Sequence, residues 1–204
     1  MKVKICGVTS AEDALAAAAA GADLLGLNFY PPSPRALDAA RARAIADAVR
    51  AVAPGILLVG VFADRPPREV AAIDRAVGLD LLQFSGDEPA AAVRSHELRA
   101  VKAFRTAGPP PEEALSLYSE IFGVLIDARH GSLYGGTGNA WDFASVAPLA
   151  AERRVLVAGG IRPGNVAAAL ASGAWGIDVC SGVESSPGVK DPRLLARLFE
   201  EVHG

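Results

Sequence analysis

Eight short apolar runs, each followed by a helix-forming stretch, leave this chain few folds to choose from. The runs fall at residues 2–6, 23–29, 56–62, 79–84, 100–104, 121–127, 155–158 and 176–180. Most are apolar throughout rather than alternating with polar residues, which points to strands covered on both faces and hence to parallel pairing. The intervening stretches carry helix punctuation. Ser10 with Asp13 three residues on resembles a capping box, and Gly21 closes that helix. A helix over 38–52 is stopped by Pro54-Gly55, and others are expected over 66–78, from 88, up to 118, over 142–151 and over 165–172. Asp191 and Pro192 then start a last helix with Leu194, Leu195, Leu198, Phe199 and Val202 on one face. Eight such units share 204 residues, about 25 each, and the count of eight favours a closed (β/α)8 TIM barrel over an open doubly wound sheet. With no linker in sight, residues 1–204 are expected to form one barrel domain.

Composition narrows what such a barrel can serve. A net charge of −3 argues against a general nucleic-acid binder, which needs a basic face. No run reaches about 18 apolar residues, so no membrane partner is expected. The N-terminus enters an apolar strand at once and lacks a signal-peptide layout. Cys6 and Cys180 are the only cysteines and do not make a disulfide framework, so a reducing cytoplasm is the simpler setting. His96, His130 and His203 show no ligand spacing, and no metal site is expected. A homodimer would cover exposed apolar loops.

The ends of the strands carry the chemistry. Val155-Leu156-Val157-Ala158 breaks into Gly159-Gly160, and Asp178-Val179-Cys180 breaks into Ser181-Gly182. Glycine leaves backbone N–H groups open to an anion, and the loops after strands 7 and 8 of a barrel commonly hold phosphate. A phosphorylated small molecule is therefore the expected ligand, held near Gly159, Gly160, Ser181 and Gly182, with Ser181-Gly182 opening a short extra helix. Period-2 alternation puts Lys4 and Cys6 on one face of the first strand and Val3 and Ile5 on the other. Cys6 ends the first strand and Asp127 the sixth, both at the mouth. Lys4 is either a cation beside Cys6 or half of a barrel-floor ion pair. Cys180 reads as a small packing residue beside Cys6, with a disulfide as the rarer option.

The chain resembles the phosphoribosylanthranilate isomerases of the tryptophan pathway. The resemblance rests on Lys4-Ile5-Cys6-Gly7, Ser33-Pro34-Arg35, Val59-Gly60-Val61-Phe62, Leu82-Gln83, Leu125-Ile126-Asp127 and Gly135-Gly136-Thr137-Gly138. It continues through Ala158-Gly159-Gly160-Ile161, Asn165-Val166, Asp178-Val179 with Ser181-Gly182-Val183-Glu184, and Pro187-Gly188-Val189-Lys190-Asp191. It implies a (β/α)8 barrel that performs an Amadori rearrangement without cofactor. It also implies Cys6 as general base and Asp127 as general acid, an acid that has to keep its proton until delivery. Arg35 is expected to take the anthranilate carboxylate through a two-pronged contact. Asp178 either meets a sugar hydroxyl or Cys6, or forms a structural ion pair. Phe29, Phe62, Phe84 and Phe104 either line a slot for the aromatic ring or pack the core. The loop from Gly135 to Gly138 is expected to cover the substrate. Two departures stand out: Ser85 occupies the place of a usual His, and Asn139-Ala140-Trp141-Asp142-Phe143 ends the glycine-rich loop differently.

Competing readings are a ribulose-phosphate epimerase, an indole-glycerol-phosphate-type synthase and a non-catalytic phosphometabolite sensor. The first would want metal ligands. The second would want a lysine and a glutamate at strand ends, for which Lys4 and Lys102 are the candidates. The third would need no acid–base pair.

Overall fold

The computed structural model describes residues 1–106, 108–127 and 142–204. Its strands are β1 (Lys2–Cys6), β2 (Leu24–Asn28), β3 (Leu57–Phe62), β4 (Leu81–Phe84), β5 (Ala100–Arg105), β6 (Gly123–Asp127), β7 (Val155–Ala158) and β8 (Gly176–Val179). Each pairs in parallel with its chain neighbours, and β8 returns to β1 to close the barrel. Closure suits the composition, because a strand apolar on both faces has to be covered inside and outside. Leu24, Val59, Leu81, Val101, Leu125 and Leu156 fill the inside. Residues of the opposite parity, such as Val3, Ile5, Leu58, Leu82 and Ile126, face the helices.

The helices are α1 (Ala11–Ala20), α2 (Ala39–Val52), α3 (Pro67–Val77), α4 (Ala90–Arg94), α5 (Glu112–Ser116), α6 (Ala147–Glu152), α7 (Val166–Leu170) and α8 (Pro192–His203). Ser10 caps α1 by accepting from the Asp13 N–H at 3.1 Å, and Asp191 caps α8 by accepting from the Arg193 N–H at 2.8 Å. Helices α4, α5 and α7 span only five residues each, shorter than the sequence suggests. Glu88 stays outside α4; its carboxylate instead accepts from the Asp64 and Gly86 N–H groups. A small antiparallel hairpin, β9 (Glu184–Ser186) and β10 (Val189–Lys190), follows β8 and was not expected. Among the described residues no helix is long and apolar enough to cross a membrane. The glycine-rich stretch 130–139, including the expected cover over Gly135 to Gly138, lies outside the described residues.

Candidate active site

The site starts from the pairing that closes the barrel. Lys4 and Asp178 occupy partner positions on β1 and β8, and the Lys4 Nζ lies 3.0 Å from an Asp178 carboxylate oxygen. The lysine is wholly buried. Burial opposes its charge, but Asp178 and Cys6 outweigh that and raise its pKa. Lys4 is therefore both the cation beside Cys6 and half of an ion pair, and Asp178 is the other half.

Cys6 is the next inward residue of β1. Its pKa is lowered to about 7. A hydrogen bond from the Cys180 thiol contributes most, burial opposes, Lys4 favours the thiolate, Asp178 opposes it, and Lys190 adds a second favourable cation. The same interaction and burial push the Cys180 thiol upward, and its Sγ, which donates to a Glu184 carboxylate oxygen at 3.9 Å, keeps its proton. Cys180 is thus more than a packing residue, and both cysteines are free thiols.

Cys6, Asp127, Arg35 and Asp178 line one cavity of about 220 Å³ at the carboxyl ends of the strands. Parallel pairing brings the ends of β1 and β6 to one face of the barrel, and inward parity turns Cys6 and Asp127 into the cavity there. Val61, Ala103, Leu125 and Ala158 supply its apolar wall. Gln83 and Ser85 come from the β4 side, the Gln83 amide donating to the Ser85 hydroxyl at 3.0 Å.

The four proposed phosphate residues flank the same cavity, because Gly159 follows Ala158 and Ser181 follows Cys180. Gly159 and Gly160 take left-handed backbone, with φ of 103° and 72°. Ser181 opens a single 3-10 turn, Ser181–Val183, the expected short extra helix. A Cβ on Gly182 would collide with the Ile161 carbonyl oxygen, so the loops after β7 and β8 meet only because that side chain is absent.

Several side chains sit elsewhere than expected. Phe29, Phe62 and Phe84 do not face the Cys6 cavity; behind the sheet Phe29 stacks on Phe62 with centroids 5.2 Å apart, and Phe84 lies tilted against Phe62 at 6.2 Å. Phe104 packs edge-on to Tyr118 at 5.6 Å. Core packing is the role these rings take. Lys102 also lies outside the Cys6 cavity, in a buried pair with Glu88 at 2.9 Å, which removes it as a synthase-type lysine. Arg35 does reach the cavity, but its Nε and Nη2 are already held by Glu184 at 2.8 and 2.5 Å. Only its other edge, Nη1 with the second Nη2 hydrogen, is left for a carboxylate. Glu184 and Lys190 were missed as site residues. Gln83 was readable as an amide inside an apolar strand; its Oε1 is buried with no partner among the described residues.

A family model described as N-(5'phosphoribosyl)anthranilate (PRA) isomerase matches residues 3–201. An N-(5'-phosphoribosyl)anthranilate isomerase of Pseudomonas fluorescens is 42% identical over 204 residues, covering 99% of this chain and 95% of its own length. The crystal structure of phosphoribosyl anthranilate isomerase from Thermus thermophilus superposes with a TM-score of 0.84 at 39% identity, covering 100% of this chain and 98% of that one. A phosphoribosyl anthranilate isomerase solved in complex with reduced 1-(o-carboxyphenylamino)-1-deoxyribulose 5-phosphate gives a TM-score of 0.85 at 30% identity, covering 100% and 99%.

Proposed function

Because the chain belongs to the N-(5'-phosphoribosyl)anthranilate isomerase family, we propose that it converts N-(5-phosphoribosyl)anthranilate to 1-(2-carboxyphenylamino)-1-deoxyribulose 5-phosphate with Cys6 as base and Asp127 as acid. The observation that carries this reading is the shared cavity: a thiol poised to ionise and a carboxyl enter it from β1 and β6, with an arginine at the same cavity.

The chemistry follows from proton bookkeeping. Asp127 gives its proton to the ribose ring oxygen, the C1'–O bond breaks, and the anthranilate nitrogen lone pair forms the iminium. The Cys6 thiolate removes the proton from C2', and those electrons neutralise the iminium as an enol-amine. Ketonisation then puts a proton on C1' and takes one from the C2' hydroxyl. Cys6 holds a proton to give and Asp127 lacks one, so both return to their starting states. In this reading the free edge of Arg35 takes the anthranilate carboxylate. Asp178 keeps Lys4 in place and faces the sugar. Backbone N–H groups at Gly159, Gly160, Ser181 and Gly182 take the phosphate. A reducing cytoplasm suits the two free thiols.

The test is steady-state turnover of phosphoribosylanthranilate, followed by its fluorescence, with folded variants. Cys6→Ala is expected to lose about 10²- to 10⁴-fold in turnover. Asp127→Asn is expected to bind substrate and turn it over poorly. Turnover near wild type in either variant removes that residue from the mechanism.

A further inference from the structure

Two buried charges beside the cavity take no part in the proton transfers. Lys190 on β10 is 0% exposed at its side chain, and all three of its ammonium hydrogens have acceptors. They go to the Cys6 carbonyl at 2.6 Å, the Cys180 carbonyl at 3.2 Å and the Glu184 carboxylate at 2.9 Å. Glu184, 4% exposed, accepts in turn from Arg35 Nε and Nη2. A continuous chain of contacts thus runs from the backbone under the thiol to the guanidinium at the cavity. The hairpin carrying it is strapped to the barrel: the Lys190 N–H donates to Asp13 at 3.2 Å, and the Thr9 hydroxyl donates to the Gly188 carbonyl at 2.6 Å.

A guanidinium is planar, and a carboxylate reads one edge of it at a time. Glu184 occupies the Nε/Nη2 edge, and no described residue holds the Nη1/Nη2 edge. An unrestrained arginine would sample many rotamers and lose that freedom on binding; one already clamped does not.

We propose that Glu184, braced by Lys190, is a positioning residue that sets selectivity for an aryl carboxylate by fixing which edge of Arg35 faces the cavity. The inference rests on the reading of Arg35 as the carboxylate grip. Its opposite would be a Glu184 that competes with the ligand for Arg35. The geometry disfavours that, because Glu184 holds the far edge and is itself anchored by Lys190. The two differ in sign: removing a competitor tightens carboxylate binding, and removing a clamp loosens it.

The test compares two competitive inhibitors, reduced 1-(2-carboxyphenylamino)-1-deoxyribulose 5-phosphate and its phenylamino counterpart without the carboxyl group. In Glu184→Gln the first should bind about tenfold more weakly and the second within about twofold of wild type, as expected for disturbing one charge-assisted contact. A merely structural role would weaken both alike. Equal weakening, an unchanged preference for the carboxylate, or a stronger one overturns the proposal. Arg35→Lys is measured alongside. If it keeps the full preference, the Arg35 reading itself has failed; if it loses the preference while Glu184→Gln keeps it, only the role of Glu184 has failed. Should Glu184→Gln not fold, Glu184→Gln/Lys190→Met removes the buried charges as a pair, and the same inhibitor ratio decides.

Discussion

A thiol becomes a base only after losing its proton, and the groups around Cys6 favour that loss. Its interaction with the Cys180 thiol, whose Sγ also lies 3.9 Å from a Glu184 carboxylate oxygen, lowers its pKa most, and Lys4 and Lys190 add positive charge, against burial and Asp178. If Cys6 is the base, kcat/KM must rise with pH as the thiolate forms, with its acid limb near the thiol's value of about 7. Lys4→Met should move that limb upward by about 1–3 pH units, because it removes a favourable cation and leaves Asp178 without its partner. Cys180→Ala should move it the same way through loss of the hydrogen-bond donor, whereas Cys180→Ser keeps a donor and should move it least. A pH–rate profile read beside the thiolate absorbance checks both. A limb that stays put while the absorbance shifts would belong to another group.

The loops after β7 and β8, proposed to hold the phosphate, are built by contact between elements rather than by any one side chain. The turn that opens at Ser181 lies against Ile161, in the loop after β7, and the Ile161 carbonyl oxygen leaves no room for an alanine Cβ at position 182. Gly182→Ala should therefore displace the turn and raise KM by roughly tenfold, about 1.4 kcal/mol, with kcat changed less. Inhibition by inorganic phosphate should weaken in parallel; a KM effect without that weakening would place the phosphate elsewhere. This pair of loops was legible in the sequence because glycine at the end of an apolar run is a local signal. So were the strand-end positions of Cys6 and Asp127. The phenylalanines were ambiguous for a physical reason. Phe62 and Phe84 end their strands as visibly as Cys6 does, but a strand's inward parity is set by pairing register and barrel closure, which no single run encodes. The hairpin was illegible for a different reason. Glu184-Ser185-Ser186 has no apolar alternation, and its buried charge is satisfied by residues from distant parts of the chain.

At the scale of the whole molecule, the first and last strands of the barrel meet, so its closure depends on contacts between β1 and β8, near opposite ends of the sequence. Two buried charge pairs sit at that seam, Lys4 with Asp178 and Lys190 with Glu184. Such pairs stabilise weakly when intact and cost heavily when one partner is removed, because the remaining charge stays buried. Glu184→Gln should thus lower stability at neutral pH by about 3–5 kcal/mol. The penalty should also depend on pH, and its sign is fixed. Burial raises the Glu184 pKa, but its hydrogen bonds to Arg35 and Lys190 more than offset that and leave it below the ordinary value of 4.5. A carboxyl that ionises more readily when folded contributes fully above its unfolded pKa, and that contribution is lost as pH falls through the folded one. The wild type should therefore lose stability on acidification below the ordinary glutamate range, while the glutamine variant, with nothing to titrate there, loses less. Urea midpoints measured from neutrality down through that range should converge for the two proteins. A gap that stays constant would mean that the charge of Glu184 contributes nothing at the seam, and that its value there lies in shape alone.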